Sequence, residues 1–111
     1  MSHWKNSITV FKHAIRITDK KHPNFSVVHN NLGIALFAEQ KKEEAISHYK
    51  MAIKLNPNFT NAHYNLGIVL VQKGERKEAV HHFRETVRLR PDLVAARDNL
   101  ELALLRLQEL E

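Results

Sequence analysis

Apolar positions recur along the chain with the spacing of helices that bury one face. In residues 26–59 the apolar stripe is formed by Leu32, Leu36, Ala45, Tyr49, Ala52 and Ile53. In residues 60–93 it is formed by Leu66, Leu70, Ala79, Phe83 and Val87. Steps of three and four residues are typical of amphipathic α-helices. Each segment therefore predicts two helices joined by a turn.

The two segments are copies of one repeat. The three prolines, Pro23, Pro57 and Pro91, follow one another at intervals of 34 residues. Shifting the chain by 34 aligns residues 26–59 with 60–93 without a gap, and about ten positions are identical. The identical pairs include His29/His63, Asn31/Asn65, Leu32/Leu66, Gly33/Gly67, Ile34/Ile68, Leu36/Leu70, Glu44/Glu78, Ala45/Ala79, His48/His82 and Pro57/Pro91.

Glycines mark two different requirements of this repeat. Gly74 lies in the turn between the two helices of the second copy, where glycine supplies the left-handed conformation that closes a helix. Gly33 and Gly67 lie inside helices, where glycine costs about 1 kcal/mol relative to alanine. That cost predicts a close approach of the neighbouring helix, with Ala45 and Ala79 as the small partners at the crossing.

The repeat resembles the tetratricopeptide repeat, whose 34-residue frame reads W-x2-L-G-x2-Y, A-x3-F and P. The first copy supplies His29, Leu32, Gly33, Leu36, Ala45, Tyr49 and Pro57 at those places, and the second His63, Leu66, Gly67, Leu70, Ala79, Phe83 and Pro91. Histidine thus replaces the tryptophan and leucine the tyrosine in both copies. The resemblance implies an all-α fold, a right-handed superhelical solenoid of antiparallel helix pairs whose first helices line a concave groove. It also implies an interaction scaffold.

The predicted organisation is a single repeat domain over residues 1–111 with six helices. Residues 3–25 correspond to half a repeat, with the second helix only and an insertion; residues 26–59 and 60–93 are whole repeats, and residues 94–111 resemble a capping helix. A weaker similarity links the region to the tetratricopeptide repeats of bacterial polytopic membrane proteins related to glycosyltransferases. It implies a module excised from a longer chain, and leaves a cytoplasmic or a periplasmic location open.

The predicted groove carries one asparagine in each first helix: Asn31, Asn65 and Asn99, spaced by 34 residues. A carboxamide both donates and accepts, so this asparagine ladder could bind the backbone of an extended peptide without reading its side chains. The alternative is that each asparagine braces the next helix. The neighbouring groove positions favour an apolar or aromatic partner; they are Asn30, Ile34, Phe37, Asn61, Tyr64, Ile68 and Val71.

Composition adds a basic surface to this picture. The 111 residues are 43 % apolar and 26 % charged, which is typical of a globular protein, and the net charge is +5. Equivalent places on successive second helices predict a basic convex stripe of Lys12, Arg16, Lys50, Lys54, Arg84 and Arg88. A solvated face explains such a stripe, and an acidic protein or lipid surface is the alternative. Nucleic acid is disfavoured because no aromatic stacking platform accompanies it.

Residues for catalysis or metal binding are not indicated. The chain has no cysteine, no glycine-rich phosphate loop, no H-E-x-x-H and no nucleophile elbow. His48 and His82 occupy equivalent places, but Val10 stands at the third, so no metal site or cofactor is expected. His29 and His63 are predicted to be half-buried packing residues. A clamp for a terminal carboxylate is also disfavoured, because Ala95 and Asn99 stand where basic residues would be needed.

The sequence therefore predicts a non-enzymatic module that binds an extended segment of a partner protein in its groove. The alternative is a structural assembly element. In that case the chain would associate with itself through its N-terminal edge or its last helix, or continue a longer repeat array. Membrane contact is expected only through a parent chain or an anionic surface. The identity of the partner and the compartment stay open.

Overall fold

The computed structural model describes residues 25–109 together with Ile8 and Lys12. Residues 25–109 form five helices and contain no strand: α1 Phe25–Ala38, α2 Lys42–Leu55, α3 Thr60–Gln72, α4 Arg76–Leu89 and α5 Val94–Glu109. The all-α prediction is confirmed. Five of the six predicted helices lie in this part of the chain. The sixth predicted helix lies within residues 3–25, outside the described residues except for Ile8 and Lys12, which are both helical.

The chain divides into two units, residues 1–59 and residues 60–111. In the first, α1 packs against α2; in the second, α3 packs against α4 and α4 against α5. The predicted stripes form the core of each unit. Fully or almost fully buried are Leu32, Leu36, Ala45, Tyr49 and Ala52 in the first unit, and Leu66, Leu70, Ala79 and Phe83 in the second. Helix pairing within a repeat is therefore driven by burial of the 34-residue apolar pattern.

The close approach predicted at the helical glycines is present, but its partner is an aromatic ring. A Cβ at Gly33 would lie 2.6 Å from Cε1 of Tyr49, and a Cβ at Gly67 would lie 2.6 Å from Cε1 of Phe83. Ala45 and Ala79 are buried, yet the atoms nearest to the glycines belong to the rings. Each glycine thus forms a notch that receives a ring from the second helix.

The turn between the two helices has the same conformation in both repeats. Gly74 has a φ of 82°, and Gln40, at the equivalent position, has a φ of 66°. In both turns the following N–H bonds back to a leucine carbonyl at 2.9 Å, Lys41 to Leu36 and Glu75 to Leu70. This six-to-one bond closes the helix in a Schellman arrangement. Gln40 adopts this conformation without the freedom that glycine provides.

The last helix buries less of its surface than the four before it. Only Ala96 and Ala103 of α5 are buried, whereas Leu100 and Leu104 are half-buried. Glu101 occupies the place of the notch glycine and is exposed. Among the described residues, no helix combines the length and the apolarity required to cross a membrane.

Candidate functional site

The three asparagines of the predicted ladder lie half-buried, one on each of α1, α3 and α5. The Nδ2 of Asn99 donates a hydrogen bond to the hydroxyl of Tyr64, with a distance of 3.1 Å. Tyr64 lies on α3, so this bond joins two predicted groove residues from different helices. It is also the bracing contact that the alternative interpretation of the asparagines expects.

The other predicted groove residues differ in exposure. Ile34 is 46 % exposed and Asn61 is exposed. Phe37, Tyr64, Ile68 and Val71 are half-buried. Asn30 is the exception at 4 % exposed, because its side chain lies on the buried side of α1. Asn30 therefore has almost no surface to offer a ligand.

A cleft of about 150 Å³ lies between α3 and α5 in the second unit. Its lining residues are Val71, Asn99, Leu102, Ala103 and Arg106. The sequence placed Val71 and Asn99 in a groove but did not assign the other three to it. A signal was present, because Leu102, Ala103 and Arg106 follow Asn99 by three, four and seven residues and so share its face of the helix. The cleft combines apolar walls with one amide and one guanidinium.

The predicted basic residues are exposed wherever the structure describes them: Lys12, Lys50, Lys54, Arg84 and Arg88. Arg16 lies outside the described residues. Arg88 pairs with Glu85 on the same helix, with 3.0 Å from Nη2 to Oε1. The bond from Arg88 holds the pKa of the Glu85 carboxyl below its usual value. This pairing reduces the net positive charge of the last turn of α4.

One histidine pair joins the two helices of each repeat. The Nδ1 atoms of His29 and His48 lie 2.9 Å apart, and those of His63 and His82 lie 3.0 Å apart. His29 and His63 are buried rather than half-buried. Sequence reasoning missed both pairs, although the spacing of 19 residues occurs in each repeat. In the described part of the chain no group of three or more potential ligands is placed to hold a metal ion.

Comparison with known families identifies the repeats. Residues 33–74 match the family described as TPR repeat, and residues 60–93 match the family described as Tetratricopeptide repeat. The two matches together span more than half of the chain. The protein belongs to the tetratricopeptide-repeat family. A comparison with curated proteins finds no match.

Solved structures show the same fold. A crystal structure of MamA shares 28 % identity with a TM-score of 0.79, covering 86 % of this chain and 54 % of that one. The first TPR of Spaghetti (RPAP3) bound to the HSP90 peptide SRMEEVD shares 22 % identity, with a TM-score of 0.87 over 96 % of this chain and 81 % of that one. The APC/C hetero-tetramer Cut9–Hcn1 shares 24 % identity, with a TM-score of 0.84 over 93 % of this chain and 20 % of that one. The chain thus spans about half the length of the MamA structure.

Proposed function

We propose that this chain is a protein-interaction module that binds an extended peptide segment of a partner protein, with the cleft between α3 and α5 as its principal contact. Membership in the tetratricopeptide-repeat family and the fold shared with a peptide-bound relative support this class of function. The observation that carries the proposal for this chain is the composition of the cleft.

The cleft suits one apolar side chain and the peptide backbone beside it. Val71, Leu102 and Ala103 supply apolar walls, and Leu102 is 51 % exposed, so a ligand side chain would remove its surface from water. Pockets that combine apolar walls with a few polar groups are typical of ligand sites. A medium-sized aliphatic residue is therefore the expected anchor of the bound segment.

Asn99 supplies the polar part of the site. One hydrogen of its amide bonds to Tyr64, and this fixes the orientation of the side chain. A carboxamide has a second donor hydrogen and an acceptor oxygen, which suit the C=O and N–H of a peptide backbone. Asn65 and Asn31 are the equivalent residues of α3 and α1, and the same backbone contacts are proposed for them. Each such bond contributes about 0.5–1.5 kcal/mol, so the ladder would give weak binding that tolerates different sequences.

Arg106 and the net charge of +5 favour an acidic residue next to the anchor. A guanidinium at the edge of an apolar cleft can bind a carboxylate with two parallel hydrogen bonds. The expected ligand is thus an extended segment with an aliphatic side chain followed or preceded by aspartate or glutamate.

Selection from random short peptides displayed on phage tests the proposal. Peptides enriched on the wild-type chain are labelled and titrated by fluorescence anisotropy. Leu102→Ser and Asn99→Ala should each weaken binding by about 2- to 10-fold. Leu105→Ser is the matched control, since Leu105 is equally exposed on α5 but does not line the cleft. The absence of enrichment, or equal binding by all variants, would contradict the proposal.

A second candidate function is self-association through α5. Leu102 and Leu105 are each 51 % exposed and lie three residues apart, so they form one apolar face. Light scattering over a concentration series measures the mass directly. An increase with concentration that Leu105→Ser abolishes would support an assembly role, whereas a monomer at all concentrations would count against it.

A further inference from the structure

The two histidine pairs are equivalent features of the repeat. Each joins the first helix of a repeat to the second, α1 to α2 through His29 and His48, and α3 to α4 through His63 and His82. The ring centroids are 5.2 Å apart in both pairs. Since the same contact forms independently in two copies of the sequence, it is a property of the repeat and not of one local environment.

The geometry limits how many protons a pair can hold. With the two Nδ1 atoms 2.9–3.0 Å apart, one of them must carry a hydrogen and the other must offer its lone pair. The two rings are therefore opposite tautomers when both are neutral. A proton added to the accepting nitrogen would place two N–H groups head to head, and a second proton on the free Nε2 of the other ring would bring two positive charges into contact. In the unfolded chain each ring binds its proton independently, so the unfolded chain binds more protons at acidic pH.

The surroundings of the first pair disfavour the charged form. His29 is 5 % exposed, and the ring of Phe25 packs edge-on against it at 4.7 Å. Burial and the neighbouring His48 lower the pKa of His29 to about 4. Burial and Lys12 also lower the pKa of His48, and the carboxylate of Glu44 opposes them. Among the described residues, Lys12 and Glu44 thus act on the charge of this pair.

The second pair has more negative charge beside it. The Nε2 of His82 lies 3.7 Å from the carboxylate of Glu78. Glu85 interacts electrostatically with His63 and with His81, whose ring contacts His82 at a centroid distance of 4.9 Å. Two carboxylates therefore lie close to the second pair, whereas a lysine acts on the first.

We propose that the two histidine pairs act as pH-sensitive clasps that hold the helices of each repeat together near neutral pH and release them on acidification, the α1–α2 pair before the α3–α4 pair. The difference follows from the surroundings, since Lys12 acts on the first pair and Glu78 contacts the second. The proposal concerns packing within a repeat and is independent of peptide binding.

Nuclear magnetic resonance of the full chain tests the geometry. Long-range ¹⁵N–¹H correlation distinguishes the tautomers of a histidine ring. The expected result near neutral pH is one Nδ1-protonated and one Nε2-protonated ring in each pair. On acidification, amide exchange should accelerate in α1 and α2 before it does in α3 and α4. Identical tautomers within a pair, or earlier opening of α3 and α4, would overturn the proposal.

Variants test the proton count. Urea unfolding from about pH 7.5 to about pH 4.5 should show an unfolding constant that rises with acidity, by up to about tenfold per pH unit for each proton taken up. His48→Gln keeps a hydrogen-bond donor for His29 but removes one titrating ring, so it should flatten this dependence. The exposed Lys54 provides the control, because a lysine side chain ordinarily keeps its charge over this pH range, and Lys54→Gln should leave the slope unchanged. Equal slopes in all three proteins would refute the clasp. If His48→Gln does not fold, the tautomers of the wild-type chain decide the question.

Discussion

The notch formed by Gly67 allows a quantitative test of how the repeat packs. A Cβ added at this position would lie 2.6, 2.8 and 2.9 Å from three ring atoms of Phe83. Carbon atoms in contact are normally about 3.5–4.0 Å apart, so the ring would have to retreat by about 1 Å. Phe83 is completely buried, and a close-packed interior has no space to receive that movement. The substitution Gly67→Ala should therefore strain the core.

Two opposing effects set the magnitude. Overpacking a core costs about 1–3 kcal/mol, and three contacts below 3.0 Å place this site near the upper end of that range. Replacing a helical glycine by alanine gains about 1 kcal/mol from helix propensity. The net expectation is a loss of about 2 kcal/mol. Such a loss lowers the Tm of a domain of this size by roughly 10 °C, which thermal unfolding followed by circular dichroism detects readily.

Three further variants separate strain from other causes. In Gly67→Ala/Phe83→Leu the aromatic ring is absent, so the double-mutant cycle should show a coupling energy of about 3 kcal/mol, which is the strain alone. Glu101 occupies the same repeat position on α5 but is exposed. At that position Glu101→Ala should be more stable than Glu101→Gly by about 1 kcal/mol, the reverse of the order at Gly67. If Gly67→Ala instead increases stability, the ring does not occupy the notch and the packing argument fails.

Three other expectations follow from local geometry. Gln40→Gly should raise the free energy of unfolding by about 1 kcal/mol and Gly74→Ala should lower it by about as much, because both positions have a left-handed backbone conformation. Urea unfolding measures both changes, and an unchanged free energy would show that the turns relax freely. Burial raises the pKa of Tyr49 to about 12, so stability present below pH 10 should fall by about 2 kcal/mol as the pH rises from 10 to 12. Ultraviolet difference spectroscopy should detect late ionisation of one tyrosine, and its absence would contradict the burial. Tyr64→Phe should cost about 1 kcal/mol by removing the acceptor for Asn99, and an unchanged denaturation midpoint would show that the bond contributes nothing.

Much of the fold could be predicted because packing within a repeat depends on local periodicity. The apolar stripe correctly predicted the burial of Leu32, Leu36 and Tyr49. The cost of a glycine inside a helix correctly predicted that another helix approaches closely at Gly33. The identity of that neighbour could not be predicted, since periodicity places Ala45 and Tyr49 on the same face without saying which side chain enters the notch. Tyr49 enters the notch because its ring is large enough to reach Gly33.

The polar contacts were less predictable for a physical reason. A hydrogen bond requires two particular atoms to meet within about 3 Å, whereas a helical pattern specifies only a face. His29 and His48 are recognisable as neighbours by face, but the meeting of their Nδ1 atoms depends on ring orientation. The bond from Asn99 to Tyr64 joins residues of different helices, and it likewise depends on how the two side chains are oriented. The cleft residue Arg106 lies seven positions beyond Asn99 and was predictable only once that face was known to be open.

Half-buried positions of the repeat can carry different side chains in the two copies, and this bears on the asparagines. The groove positions Phe37 and Val71 are equivalent in the repeat but differ in residue type. Asn31 and Asn65 are half-buried and could vary in the same way, yet asparagine recurs at both positions and again at Asn99. Burial alone does not demand a carboxamide at a half-buried position, although the bond from Asn99 to Tyr64 shows that a carboxamide there can brace two helices. The recurrence of asparagine at this position in three helices therefore indicates that the three side chains share one role.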